Sequence, residues 1–304
     1  MKTYAVTPAL TLIDTQPPIP GQTIRFLGTY LFCSDKTAIV DIGPKAAVPN
    51  LLAALPRLGV HADDIDYIVL THIHIDHAGG TGTALHAMRN AQVLAHSRAR
   101  SHLIDPSALW EGSLKALGEL AIKYGAIEPV PEEKIISVTD TMELDLGRDL
   151  VLEIYLTPGH AAHHLSLFDR ANSVLIAGEA AGVCIDGMVR PATPPPFKLE
   201  DTLSSIHKLI RLQPKRICYG HFGCYDNGLA RLKRYREKLL RWQEIVISAA
   251  REGKNYDEIF TILRENDPDL CYLDGLDKDQ YESEYGFIGN SINGLAGSAL
   301  GSGQ

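Results

Sequence analysis

Paired cysteine spacing is missing from this sequence. Cys33, Cys184, Cys218, Cys224 and Cys271 are scattered, odd in number, and include no CxxC motif. Such thiols suit a reducing cytoplasm rather than a disulfide-stapled exterior. Each reads as a small buried hydrophobe, with a zinc role for Cys218 and Cys224, which flank His221, as the alternative. No uninterrupted apolar run is long enough to cross a bilayer, so no membrane association is expected. The opening residues Met1-Lys2-Thr3-Tyr4-Ala5 lack the apolar stretch and small-residue cleavage site of a signal peptide, which also leads to an expected cytoplasmic location. A basic surplus is absent as well. With 29 Lys and Arg against 37 Asp and Glu, the net charge of −8 argues against a general nucleic-acid binder. Nor does the nucleophile-elbow motif of serine hydrolases occur.

What the chain does have is core-building material. Apolar residues make up 45% of its 304 residues, enough for one large domain or two modest ones. Short apolar segments bounded by turn residues predict strands at Thr11–Asp14, Thr29–Cys33, Thr37–Asp41 and Asp66–Leu70. Helical spacing follows over Ala46–Leu58, with Gly59 as a stop. Asp105–Tyr124, carrying Trp110, predicts a helix that is either a lid or an ordinary surface helix. A second block of strands spans Ile135–Val138, Thr141–Leu144, Leu150–Leu156, His164–Phe168 and Val174–Ala177, and is followed by a helix at Leu199–Leu212, a strand at Arg216–Tyr219 and a long helix at Leu229–Ala250. Strands, helices, strands, helices suggest two halves packed sheet to sheet with helices outside. Beyond Gly253, Tyr256–Leu263 and the residues from Lys278 onward read as further helices, and Gly297–Gln304 as a loose tail.

The densest chemistry lies directly after the Asp66–Leu70 strand. The segment Thr71-His72-Ile73-His74-Ile75-Asp76-His77-Ala78-Gly79-Gly80 offers four ligands in six residues. Imidazole nitrogen and carboxylate oxygen suit zinc and other borderline divalent metals. Residues two apart on extended backbone point the same way, so His72 and His74 can share one metal. Asp76 and His77 stand where a helix would start and project differently, so they can reach a second one. Gly79-Gly80 lets the backbone turn closely around the centre.

The order TH-x-H-x-DH-x-GG resembles the signature of the metallo-β-lactamase superfamily. Further segments carry the resemblance across residues 25 to 225. Thr157-Pro158-Gly159-His160 is similar to the family's TPGH element, which implies that His160 joins His72 and His74 on the first metal. Tyr219-Gly220-His221-Phe222-Gly223 is similar to the late histidine element, which implies that His221 joins Asp76 and His77 on the second. Asp41, in Ile39-Val40-Asp41-Ile42-Gly43, corresponds to an aspartate that supports the site without binding metal. One position departs from the pattern. The family usually has a bridging aspartate where this chain has Glu179, a longer carboxylate that could bridge both metals or bind one. His163 and His164 are read as mainly structural, with assistance to a substrate or orientation of a ligand by a hydrogen bond as alternative roles.

The resemblance implies an α+β fold, a four-layer αββα sandwich with a C-terminal helical extension, divided as 1–252 and 253–304. It implies two divalent metal ions, zinc first and iron or manganese as alternatives. It also implies a metallo-hydrolase in which metal-activated hydroxide, oriented by Asp76, attacks a lactone, ester or thioester carbonyl, with phosphotriesters as further substrates. The layout is most similar to the lactonase and small-ester hydrolase group, glyoxalase II-like members included. Acyl-homoserine lactonases often have a tyrosine where this chain has Gly182, which weakens that narrower reading. Pro194-Pro195-Pro196-Phe197, Phe222, Tyr225 and Trp110 are candidates for an apolar substrate wall. Expected partners are a small-molecule substrate and a second copy of the chain in a homodimer, with no nucleic acid.

Three other readings stand beside this one. A mononuclear iron persulfide dioxygenase needs only two histidines and a carboxylate, and the set His77 and His221 speaks against it. A nuclease of the same fold would use the basic run Arg231, Lys233, Arg234, Arg236, Lys238 and Arg241, which otherwise reads as a solvated helix face. An inactive binding protein is disfavoured by the near-complete ligand set.

Overall fold

The computed structural model describes residues 2–17, 19 and 27–300. The chain begins with strands β1 (Thr3–Thr7), β2 (Leu10–Asp14), β3 (Gly28–Cys33) and β4 (Thr37–Val40), joined as an antiparallel meander. Helix α1 (Val48–Ala54) leads to β5 (Ile65–Val69). Then come the single-turn helix α2 (Ile75–Ala78), α3 (Thr81–Leu85), β6 (Gln92–His96), α4 (Arg100–Ile104), α5 (Ser107–Leu117), α6 (Glu119–Tyr124) and β7 (Ile135–Val138). Among the described residues these strands form one sheet in the order β1 to β7, parallel from β4 onward.

The second half starts with β8 (Met142–Asp145), β9 (Val151–Leu156), β10 (Leu165–Asp169) and β11 (Val174–Gly178), again antiparallel. A two-stranded hairpin, β12 (Val183–Ile185) and β13 (Met188–Arg190), and helix α7 (Leu199–Arg211) separate these from β14 (Arg216–Tyr219) and β15 (Cys224–Asp226). The second sheet has the order β15-β14-β11-β10-β9-β8. Helices α8 (Gly228–Arg251), α9 (Tyr256–Asn266) and α10 (Lys278–Leu300) complete the chain.

Period-2 alternation decides which residue goes into which layer. In β4, Ala38 and Val40 face the second sheet while Ile39 faces the helices; in β6, Leu94 turns inward and Val93 and Ala95 outward. In β11, Val174 and Ile176 meet the first sheet, and Leu175 and Ala177 meet the C-terminal helices. Three apolar layers result: one between the sheets, one under α1, α3 and α4, and one under α7 to α10. This is the αββα sandwich expected from the sequence.

Several local expectations are corrected. The predicted helix Ala46–Leu58 is a short α-helix between two 3-10 segments, and Gly59 ends it at φ +73°. The predicted helix Asp105–Tyr124 is two helices broken at Gly118. The expected loose tail begins too early, because α10 continues to Leu300; residues 301–304 lie outside the described residues. The helices after residue 253 share one apolar cluster with α8, to which Ile259, Phe260, Leu263, Leu270, Ile288 and Leu295 contribute beside Trp242 and Val246. Among the described residues no helix is long and apolar enough to cross a membrane.

Candidate metal centre

Strands β4, β5, β9, β11 and β14 run so that their C-terminal ends share one edge of the sandwich. The two sheets are stitched there by Leu165 N–H donating to the Thr71 carbonyl (2.6 Å) and Gly28 N–H to the Gly220 carbonyl (3.0 Å). The loops leaving that edge carry His72, His74, His160, Glu179 and His221, and the single-turn helix α2 carries Asp76 and His77. The structure brings these seven side chains together in two groups, His72, His74, His160 and Glu179, and Asp76, His77 and His221. Within each group the ligating atoms lie within 4.8 Å of one another.

The first group is built around converging ring nitrogens. His74 Nδ1 lies 3.0 Å from His72 Nε2 and 2.9 Å from His160 Nε2. His160 donates its Nδ1–H to the Ala192 carbonyl at 3.0 Å, which leaves Nε2 with its lone pair aimed inward. His72 Nδ1 lies 3.1 Å from the Thr71 hydroxyl, which itself donates to Asp41, so His72 is fixed in the same sense. Burial drives His72 and His74 well below the ordinary imidazole range, with neighbouring imidazoles adding to the effect. They are therefore neutral at pH 7, the state a metal ligand requires.

Asp41 is the hub behind the second group. It is buried at φ +56° and accepts from Thr71 N–H (2.7 Å), the Thr71 hydroxyl (2.7 Å) and His77 Nδ1 (3.0 Å). His77 Nε2 is buried and has no hydrogen-bond partner. It faces two carboxylates, Asp76 at 3.7 Å and Glu179 at 3.6 Å. Burial opposes a charge on His77, but Asp76 and Asp41 outweigh it and raise its pKa to about 9. His221 Nε2 lies 3.6 Å from Asp76 and 3.3 Å from Glu179.

Glu179 stands between the groups. Its Oε2 is 2.8 Å from His160 Nε2 and 3.2 Å from His72 Nε2, while its Oε1 is the oxygen facing His221. Burial pushes its carboxyl up; the His160 and His221 imidazoles more than offset this and leave it well below the usual carboxylate range. The backbone of Glu179 is held by His164, for which the sequence suggests a mainly structural part. Glu179 N–H donates to His164 Nε2 at 3.0 Å, so the ring proton sits on Nδ1, 2.8 Å from the Thr157 hydroxyl. That hydroxyl lies 2.9 Å from Ser166, which donates to the Ala177 carbonyl. Gly178, at φ +57°, permits this approach: a Cβ there would meet His164 Nε2 at 2.6 Å.

These donors fit divalent metal. Tetrahedral zinc with bonds of about 2.0–2.1 Å separates its nitrogen ligands by roughly 3.3 Å, within a few tenths of an ångström of the His72–His74–His160 spacing. His77 Nε2, buried without a hydrogen-bond partner and facing two carboxylates, is likewise a donor set suited to a cation.

Other sequence candidates go elsewhere. Phe222 and Tyr225 line one cavity of about 340 Å³ with Tyr4 and Ile185. Phe197 is instead buried under the C-terminal helices, and Trp110 packs with Tyr124 over Ile75 of α2. The expected four-part apolar wall does not assemble, although α5 and α6 do cover the helix that bears Asp76 and His77. Cys218 and Cys224 pair across β14 and β15 within the apolar layer between the sheets, apart from both ligand groups. Much of the basic run on α8 is engaged within the chain. Arg234 and Lys238 bind Asp269 at 2.6 and 2.7 Å, and Arg241 donates to Asn266. Arg231 lies over the Tyr225 ring. No residue-type pattern pointed to the Ala192 carbonyl, since a backbone acceptor leaves no trace in a sequence.

Comparison with known proteins agrees with this architecture. Residues 29–221 match the family model described as the metallo-beta-lactamase superfamily. The metallo-beta-lactamase fold-containing protein ST1585 of Sulfurisphaera tokodaii is 34% identical over 76% of this chain and 86% of its own length. Its crystal structure superposes with a TM-score of 0.66 over the same shares of the two chains. The metallo-beta-lactamase family protein TTHA1429 of Thermus thermophilus is 23% identical and superposes with a TM-score of 0.72 over 98% of this chain and 95% of that one, a likeness of fold. An N-acyl homoserine lactonase of Bacillus thuringiensis is 26% identical over 43% of this chain and 45% of its own. The chain belongs to the metallo-beta-lactamase superfamily.

Proposed function

We propose that the chain is a metal-dependent hydrolase of small-molecule carbonyl esters, with a lactone, ester or thioester as substrate. In this reading His72, His74 and His160 hold one divalent ion, Asp76, His77 and His221 hold a second, and Glu179 lies between them. Zinc is the first choice for both, from the nitrogen-rich donor set. The observation that carries the reading is the Glu179 carboxylate, whose two oxygens reach His160 at 2.8 Å and His221 at 3.3 Å. A lone structural carboxylate has no need to face four imidazoles at once. The similarity to a protein named N-acyl homoserine lactonase supports carbonyl-ester chemistry.

Divalent ions bound here supply Lewis acidity and water acidified toward neutral pH. The protein's own residues do the rest. His160, His72 and His77 are held in single orientations by Ala192, Thr71 and Asp41, so their inward nitrogens are set before anything binds. Asp76 is the most open carboxylate of the site, its side chain 17% exposed, and so is placed to orient an attacking water, accept its proton and return it to the leaving group.

The internally paired cations of α8 support a small-molecule substrate over nucleic acid, and the five unpaired cysteines support a reducing, cytoplasmic location. The persulfide dioxygenase reading leaves the Asp76, His77 and His221 group without a purpose. A hydrolysis screen of lactones, thioesters, aryl esters and phosphotriesters, on protein of measured metal content, tests the proposal. Turnover of a carbonyl ester that scales with bound metal supports it, and metal-loaded protein inert to every class overturns it.

A further inference from the structure

The geometry points to Ser291, on the C-terminal helix α10, as a positioning residue for His160 that acts through the Ala192 carbonyl. The inference rests on the reading of His160 as a metal ligand.

His160 depends on one acceptor for its orientation, the Ala192 carbonyl at 3.0 Å. Ala192 lies between β13 and α7, in a stretch with no sheet partner of its own. Its neighbours on both sides are fixed by Ser291. The Ser291 hydroxyl donates to the Pro191 carbonyl at 3.1 Å, sharing its proton with Phe287 of its own helix, and accepts from Thr193 N–H at 3.3 Å. The Ser291 carbonyl accepts from the Thr193 hydroxyl at 3.0 Å. Ser291, Pro191, Ala192 and Thr193 are all buried. A peptide pinned at residues 191 and 193 has little freedom left at residue 192.

Two further contacts hold the helix against this segment. Gly294, one turn beyond Ser291, abuts the Thr193 carbonyl so closely that any side chain would overlap it. Arg190, which enters the segment, forms a buried two-pronged ion pair with Glu284 of α10 at 2.7 and 3.2 Å. The Tyr272 hydroxyl completes it at 2.6 Å from Glu284. Glu284, Ser291 and Gly294 of α10 thus hold residues 190–193, and through the Ala192 carbonyl that segment meets His160 of the metal centre. A backbone carbonyl that fixes the tautomer and tilt of a ligand imidazole sets its metal affinity, an effect of about ten- to a hundredfold.

The test uses the full chain as wild type, Ser291→Ala, His160→Ala and the double variant, with zinc affinity read by competition against a chromophoric chelator. Ser291→Ala is expected to weaken zinc binding about tenfold, and the double variant to bind no more weakly than His160→Ala alone, because the serine acts through the histidine. Nitrogen-15 spectra of the metal-free protein give a second readout: the slowly exchanging imidazole proton on His160 Nδ1 should be lost in Ser291→Ala and kept in wild type. Should Ser291→Ala not fold, Thr193→Val, which removes one bond of the clamp, reads the same coupling. Losses that add in the double variant, or unchanged affinity and an intact imidazole proton in Ser291→Ala, overturn the clamp. Unchanged affinity in His160→Ala overturns instead the metal reading on which the clamp rests.

Discussion

His164 accepts the backbone N–H of Glu179 at 3.0 Å, and in doing so fixes where the carboxylate between the two ligand groups begins. His164 is fully buried and burial holds its ring neutral, well below the ordinary imidazole range. His164→Ala strands the Glu179 N–H and breaks the chain through Thr157 and Ser166. The expected cost is about 1–3 kcal/mol of stability, read by denaturant unfolding, together with weaker metal binding. A variant as stable as wild type, with unchanged metal content, contradicts the role.

Glu179 itself is expected to tolerate shortening better than neutralisation. Glu179→Gln keeps the volume but removes the charge that faces His160 and His221, so metal at the Asp76, His77 and His221 group and turnover should fall together. Glu179→Asp should retain metal with a moderate change in rate. Elemental analysis beside steady-state kinetics checks both, and a Glu179→Ala protein with normal metal and turnover refutes a ligand role for Glu179.

The division of ligands predicts an asymmetric response. His221→Ala should empty one site far more than the other in anomalous diffraction maps, since His221 approaches Asp76 and Glu179. Asp41→Asn should act on the same group indirectly, because Asp41 carries three hydrogen bonds, one of them from His77. The expected loss is about 1–3 kcal/mol, with lowered affinity at the second group. Equal loss at both sites in His221→Ala contradicts the division.

The metal-free protein should be most stable near pH 6.5 to 7. On the acid side, His72, His74 and His164 have folded-state values well below the ordinary 6.5, driven first by burial, and His163 lies at about 4. The unfolded chain binds protons that the folded chain refuses, so stability is lost as pH falls below 6.5, at about 1.4 kcal/mol per pH unit for each fully counted group. On the alkaline side His77 has the opposite sign: its folded value of about 9 contributes stability that is complete below 6.5 and lost as pH rises through 9. Metal should remove the alkaline loss, because a ligating His77 is already neutral. Melting temperature against pH, with and without zinc, checks both limbs.

Much of this could be read in the sequence, and what could be read follows from chemistry. Metal ligation restricts residue type and spacing, so His72-x-His74-x-Asp76-His77 stands out, and strand alternation sorts Ile39 from Val40 into different layers. What escapes a sequence reading has no side-chain signature. The Ala192 carbonyl is one case. Phe197 is another, since an apolar ring reads alike whether it lines a cavity or fills the layer under α8. The basic run on α8 is legible as charge, but its engagement by Asp267 and Asp269 requires the fold.

The central claim is that this centre holds catalytic metal. The most direct measurement is metal content and ester hydrolysis on one preparation, before chelation, after chelation and after reconstitution with zinc. The account predicts one to two equivalents bound (about two at saturation), turnover abolished on stripping and restored in proportion to the metal returned. Full hydrolytic activity in thoroughly metal-free protein would contradict it.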